Sequence, residues 1–400
     1  MKATQRPEPI RGIFRERVFW YALLAMVLSQ LFLATALDND IFAHNPYDQY
    51  TLQAMTWRDM RIALSQDYPW LELAKYQGAV YVSFPPFPAL PMLLLSFIFG
   101  GDTPSTLVTM LYYTLAFVTA YALARRYTDA LQGAMCALFA CLGCNLCEVT
   151  LYGGVWNMAQ SLGFLLTMLC AFGVTSASRP MIGIGLFALA CAVGCRPFQA
   201  LYVPAALYLA YVNCGKSLKK LWPLLIAPGL MALLYAGYNF IRFGNIMEFG
   251  HNYLPEFAEQ SEYGQFSLQY MPSNLQHILR LPYFEGNRLR FPSSHGFLFF
   301  FANPLFLLFA IRAVFAAAKR AWDMPDTLIV IGITLHFTLL LMHKSYGGWQ
   351  FGTRYLCDLI PFMFLFWLRK MNTRLSVWEV PVMIFAVMFN IYGTIVFHAL

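Results

Sequence analysis

The sequence predicts an all-α, polytopic membrane protein, and two observations carry that expectation. Of its 400 residues 59% are hydrophobic and only 12% charged, whereas soluble domains carry roughly a quarter charged residues. The apolar residues are also gathered into runs, many of them near the roughly 20 residues that cross about 30 Å of hydrocarbon as a helix. Such a composition excludes a soluble enzyme and a nucleic-acid-binding protein. No internal repeat, low-complexity tract or soluble domain interrupts it, so residues 1–400 are expected to form a single integral membrane domain.

The net charge of +7 bears on topology, because Lys and Arg collect on the cytoplasmic side of short loops. Lys2, Arg6, Arg11, Arg15 and Arg17 precede the first apolar run, and no small-residue cleavage site follows it. The pattern predicts an uncleaved first helix that starts inside. Residues 84–100 are apolar but short, and they carry Pro85, Pro86, Pro88 and Pro91. Charge decides their reading. If they dip into the outer leaflet and return, then Arg125-Arg126, Arg179, Lys216, Lys219-Lys220, Arg312, Lys319-Arg320 and Arg369-Lys370 with Arg374 all fall inside. If they cross, all of these fall outside.

About eleven crossings follow, at 17–37, 104–124, 130–148, 154–177, 180–195, 197–213, 221–241, 294–316, 326–343, 355–369 and 376–397. The N-terminus is then cytoplasmic and the C-terminus outside. Two large extracytoplasmic loops are expected, 38–103 and 242–293. In the first, Tyr50, Ala54, Trp57, Met60 and Leu64 recur at helical spacing, as in a helix lying along the interface. The aromatic content of the second (Tyr253, Tyr263, Phe266, Tyr283, Phe284) predicts an ordered cap. Cys141, Cys144 and Cys147 have the spacing of metal ligands, but inside an apolar run they read as small packing residues with no fourth ligand nearby.

The unusual residues collect on the outer face. Asp38, Asp40 and Asp48 lie after the first span, and Glu148 and Asn157 flank Tyr152-Gly153-Gly154. Arg196-Pro197, the loop from Arg242 to His295 and the run His343 to Arg354 complete the set. Ionisable groups at membrane depth are costly and mark function more often than not. Glu148 reads either as a second acid of a site or as a helix-end charge.

Three of these stretches carry a resemblance. Asp48-Gln49-Tyr50 followed by Phe84-Pro85-Pro86-Phe87-Pro88-Ala89-Leu90 is similar to the first outer loop of bacterial GT-C fold glycosyltransferases that use polyprenyl-phosphate sugars, the mannosyl- and aminoarabinosyltransferase group. Tyr238-Asn239-Phe240-Ile241-Arg242-Phe243-Gly244-Asn245 with Glu248-Phe249-Gly250 resembles the start of a later outer loop in that group. Gly347-Gly348-Trp349-Gln350-Phe351-Gly352-Thr353-Arg354-Tyr355-Leu356 resembles a third segment, and the order and spacing of all three agree.

The resemblance implies a membrane glycosyltransferase. It would move a sugar from a polyprenyl-phosphate donor to an extracytoplasmic acceptor: a cell-wall polymer, a lipid or a protein. Such transfer needs a base near the acceptor hydroxyl and positive charge at the departing phosphate. Asp48 is the leading base, followed by Asp40 and Asp38. Arg242 and Arg354 suit phosphate through their planar forks, with Lys344 in reserve, and Tyr50, Tyr238, Trp349 and His251 would shape the pocket. No cofactor is required by this chemistry, and assistance by a divalent cation stays open. The rival class is a transporter or lipid flippase, which would use the same polar residues as a path.

Cysteines introduced at Gln66 and Ser261 are expected to react with an impermeant thiol reagent in intact cells, and one at Lys219 is not. Labelling at position 219 would overturn the eleven-span topology.

Overall fold

In a computed structural model, which describes residues 10–371 and 374–398, the apolar runs are helical. Lys2 and Arg6 lie outside the described residues. Among the described residues six helices are long and apolar enough to cross a membrane: Arg17–Ala36, Ser105–Ala124, Val155–Val174, Leu218–Phe243, Met324–Leu341 and Glu379–His398. The other expected crossings hold shorter helices, among them Ala130–Leu142, Arg179–Val193 and Leu305–Ala318. Prolines account for part of the shortening. The expected crossing at 197–213 starts as a 3-10 run, Pro197–Tyr202, and turns α-helical only over Val203–Asn213. The segment after the Pro-Pro pair forms the helix Ala89–Phe99, whose 11 residues rise about 16 Å at 1.5 Å each.

The basic clusters share one end of the bundle. Arg125 pairs with Glu16 at 2.6 Å, joining the end of one helix to the start of another. Arg369 pairs with Asp323 at 2.8 Å, and Lys370 with the buried Asp326. Arg312 meets the wholly buried Glu379 at 2.6 Å, and the indole of Trp367 also donates to that carboxylate. A buried charge stripped of its partner destabilises by about 3–5 kcal/mol, so these pairs lock the loops at this end.

Helices Val155–Val174 and Arg179–Val193 pack without an intervening side chain. A Cβ on Gly173 would stand 2.6 Å from the Gly185 Cα, so only glycine admits this approach. Small residues let membrane helices gain van der Waals contact where the hydrophobic effect offers no drive. The cysteines pack in the same way. All nine are free and buried, and the Cys144 thiol bonds the Cys141 carbonyl at 3.1 Å.

The opposite end carries the irregular structure. Two small antiparallel hairpins depart from the all-α expectation, Leu73–Tyr76 with Ala79–Val82 and Tyr283–Glu285 with Arg288–Arg290. The helix expected to reach Leu64 is Gln49–Arg58. It ends because Met60 takes a left-handed turn at φ 55°, which leaves Met60 93% exposed while Tyr50 and Ala54 are buried. Arg58 reaches across to the Ser96 carbonyl at 2.6 Å and ties this helix to Ala89–Phe99. The segment 244–304 contains short helices and one hairpin, and backbone bonds stitch it to the run after Leu341: Ser267 to Met342 at 2.9 Å and His295 to Gly348 at 2.7 Å.

Gly173→Ala is expected to lower the apparent melting temperature in detergent by several degrees. Gly229→Ala, where an added Cβ meets nothing within 4 Å, should leave it unchanged or raise it, since Ala is the better helix former. Equal behaviour of the two variants would refute the close-packing account.

Candidate active site

A cavity of about 920 Å³ lies at the irregular end, where helix termini and the two long loops converge. Its wall is set by a buried polar knot. Asn145 and Asn303, both fully buried, bond reciprocally: Asn303 Nδ2 donates to Asn145 Oδ1 at 2.6 Å, and the Asn145 amide to Asn303 Oδ1 at 3.1 Å. Asn145 also holds the chain between Phe351 and Thr353, donating to the Phe351 carbonyl and accepting from the Thr353 amide, each at 3.0 Å. Gly352, between them, takes φ 63°, and a Cβ there would lie 2.1 Å from the Asn145 amide nitrogen. The glycine is therefore required twice, by its dihedral and by the close approach.

This anchoring aims Arg354 into the cavity. Its amide donates to Gln350 Oε1 at 2.8 Å, and its Nη2 donates to the Gly347 carbonyl at 3.2 Å. The enclosed Nε has no hydrogen-bond partner among the described residues. Arg196 shares the neighbourhood, with the two guanidiniums 4.8 and 5.2 Å from the Tyr355 ring centre. Arg196 also pairs with the buried Asp358 at 2.8 Å, a carboxylate further held by Gln160 at 3.2 Å. Arg354, which forms no ion pair among the described residues, thus adds one uncompensated cation beside the Arg196–Asp358 pair, an arrangement suited to an anion.

Carboxylates line the rest of the wall: Glu72, Glu148, Glu248 and Glu256. The Trp156 indole holds Glu72 at 3.1 Å, and burial, with the charge of Glu256 adding to it, pushes the Glu72 pKa above the ordinary carboxylate value. Burial also raises Glu256, against the pull of Lys344. Glu148 accepts from the His398 ring at 3.1 Å, and the other nitrogen of that ring lies 3.1 Å from the Tyr152 hydroxyl. Trp349 packs beside this chain, 5.2 Å from the His398 ring, and is 60% exposed. Among the described residues no group of three or more His, Cys, Asp or Glu is arranged to hold a metal ion.

Of the residues expected from the sequence, Arg354, Trp349 and His251 line this cavity. Others have structural partners. Asp48 caps the helix Gln49–Arg58, accepting from the amides of Tyr50 and Thr51 at 3.0 and 3.1 Å and from the Thr51 hydroxyl at 2.6 Å. Its carboxylate is enclosed, 3.8 Å from His44, and burial raises its pKa against the lowering effect of those bonds. Its neighbours Asn45 and Tyr47 line the cavity; Asp48 does not. Asp38 and Asp40 are exposed just past the first helix, and Asp40 accepts from the Phe42 amide.

Arg242 is buried against the Tyr238 ring and donates to the carbonyl of Val82 at 2.8 Å, joining the first hairpin to the second long loop. Lys344 donates to the carbonyls of Glu256 and Gln260, and Tyr50 is wholly buried. Glu72, Asp358, His343 and His398 also line the cavity and are not among the candidate residues expected from the sequence. Asp358 had a usable signal, an acid inside an apolar run. Glu72 and His398 had none.

No protein-family model and no curated protein matches the sequence. Solved structures do. The crystal structure of ArnT from Cupriavidus metallidurans bound to undecaprenyl phosphate superposes with a TM-score of 0.50 at 15% identity, covering 91% of this chain and 62% of that one. ArnT is an aminoarabinosyltransferase of the GT-C class. The fold is of the GT-C type. The oligosaccharyltransferase of Archaeoglobus fulgidus in its apo form also matches, with a TM-score of 0.48 and 12% identity over 94% of this chain and 56% of that one. The chain thus spans about three fifths of the length of ArnT.

His251 supplies a test of the cavity wall. Its ring lies 5.0 Å from Phe84, and burial pushes its pKa from 6.5 down to about 4. Between those values the unfolded segment binds the proton that the folded one refuses, so the contribution to stability is complete above pH 6.5 and falls as pH drops toward 4. Hydrogen exchange of residues 245–257, corrected for intrinsic rate, should speed up across this window, and His251→Phe should flatten the response. An unchanged pH dependence in the variant would place the titrating group elsewhere.

Proposed function

We propose that this protein is a membrane glycosyltransferase whose donor is a polyprenyl-phosphate sugar and whose acceptor is an extracytoplasmic glycan, lipid or protein. The observation that carries the reading is the cavity itself. It joins a two-arginine anion site to a carboxylate-lined wall with an exposed indole. The leaving phosphate would lie against Arg354 and Arg196, where charge develops as the bond to the sugar breaks. The sugar would lie toward the carboxylates, one of which takes the acceptor proton. Undecaprenyl phosphate bound to ArnT, which shares the fold, supports the choice of lipid.

The membrane arrangement belongs to the same proposal. The GT-C end, with its cavity and two loops, faces outward, and the end holding Arg125, Lys219 and Arg369 faces the cytoplasm in accord with charge bias. The short helix Ala89–Phe99 would then stay within the outer leaflet, and about eleven segments would cross. A divalent cation that assists would draw ligands from the donor phosphate oxygens as well as from carboxylates of the cavity wall.

Arg354→Lys is expected to keep the fold yet weaken binding of undecaprenyl phosphate in nanodiscs by about tenfold or more, because Lys offers a point charge in place of paired donors. Arg354→Ala should weaken it further. Wild-type affinity in the Lys variant would reduce Arg354 to an interfacial anchor and remove the main support for the phosphate site.

A further inference from the structure

The chain Glu148–His398–Tyr152 has no structural task that its position explains. Glu148 lies in a single helical turn, Leu146–Val149, and His398 ends the last helix, 250 residues further on. All three side chains line the cavity together with Trp349. A charge that merely closed a helix end would be satisfied by nearby backbone. Here one carboxylate oxygen meets the imidazole at 3.1 Å, and Oε2 accepts no hydrogen bond among the described residues. Both ring nitrogens of His398 are engaged, Nε2 with Glu148 and Nδ1 with the Tyr152 hydroxyl, each at 3.1 Å; a neutral ring facing a carboxylate accepts from Tyr152 at Nδ1 and donates its Nε2 hydrogen to Glu148. The arrangement orients Glu148 through Oε1, and the residue lines the cavity with its other oxygen free of protein partners among the described residues.

We propose that Glu148 is the acceptor-activating base, that His398 and Tyr152 are its positioning residues, and that Trp349 is the platform on which a carbohydrate acceptor stacks. This rests on the transferase reading above and deepens it by naming the acceptor half of the cavity and its ligand class, a sugar presenting a free hydroxyl. The run 345–354 spans both halves, with Trp349 against His398 and Arg354 beside Tyr355. In the step, the acceptor oxygen forms a bond to the anomeric carbon as the bond from that carbon to the phosphate oxygen breaks. The phosphate leaves with the bonding pair toward Arg354. The acceptor proton passes to Glu148 Oε2 and is then released to water in the cavity. Asp48, enclosed and committed as a helix cap, is not required for this step.

The test works whichever sugar the donor carries. Wild type and variants are purified in native-membrane discs, checked for folding by thermal melting, and their bound lipids weighed by mass spectrometry. Glu148→Gln should raise the ratio of sugar-bearing to bare polyprenyl phosphate well above wild type, because losing a base slows transfer about 10²-fold or more. His398→Ala should shift the ratio the same way, whereas His398→Gln, which keeps an N–H near the carboxylate, should stay within a few-fold of wild type. Asp48→Asn retains a good helix cap and should resemble wild type. A wild-type ratio in folded Glu148→Gln would overturn the assignment, as would equal shifts in the two His398 variants. Accumulation in Asp48→Asn alone would return the role of base to Asp48. If no polyprenyl phosphate, bare or conjugated, is bound to any of these proteins, the transferase reading itself fails.

Discussion

The reciprocal bond between Asn145 and Asn303 is the constraint on which the functional end depends. It joins three segments that are distant in sequence: the turn after Ala130–Leu142, the entry to Leu305–Ala318 and the chain around Gly352. A buried amide pair left half-satisfied is costly, so none of the three can shift alone. Arg354 follows directly from the pinned stretch, and its guanidinium inherits that rigidity. Tyr355 and Asp358 come next in the chain, and through them the position of Arg196 is fixed as well. The anion site is therefore a consequence of backbone anchoring rather than of surface charge.

The two ends of the bundle handle charge differently, and the difference has a physical reason. At the basic end, carboxylates and bases are matched: Glu16 with Arg125, Glu379 with Arg312, Asp323 and Asp326 with Arg369 and Lys370. At the cavity end, matching is incomplete. Among the described residues, Arg354 forms no ion pair and Glu148 is held through one oxygen. Incomplete pairing near a low-dielectric wall is unfavourable unless a ligand completes it, and enclosed electrostatics are stronger there than in water. That contrast separates locking contacts from a site.

The cavity's contents also explain why a base is better sought on its wall than in the first loop. Asp48 makes three hydrogen bonds to the start of its own helix. Moving that carboxylate toward a substrate would uncap the helix. Glu72 and Glu148, by contrast, are held through one oxygen each by side chains, and both residues line the cavity.

Composition and periodicity by themselves determined that the chain is a helical membrane protein with its basic clusters at one end. Apolar runs of membrane length have few other solutions in lipid, and the clusters at Arg125, Lys219 and Arg369 are local facts of sequence. The three ordered motifs pointed to the GT-C fold and to Arg354 and Trp349, because a Gly-rich turn beside an apolar run is also local. Only the tertiary structure decided which acids face the cavity. Asp48 and Glu148 look alike in sequence, each an acid on the expected outer side of the membrane. One turns its oxygens onto its own helix, and the other receives a histidine from the last turn of the chain. That partner lies 250 residues away, and no periodicity or spacing records a contact made by folding alone. The same holds for Arg242 and Arg196. Both are arginines at helix ends, and the packing of Val82 against one and Asp358 against the other gives the first an anchoring role and the second a place in the site.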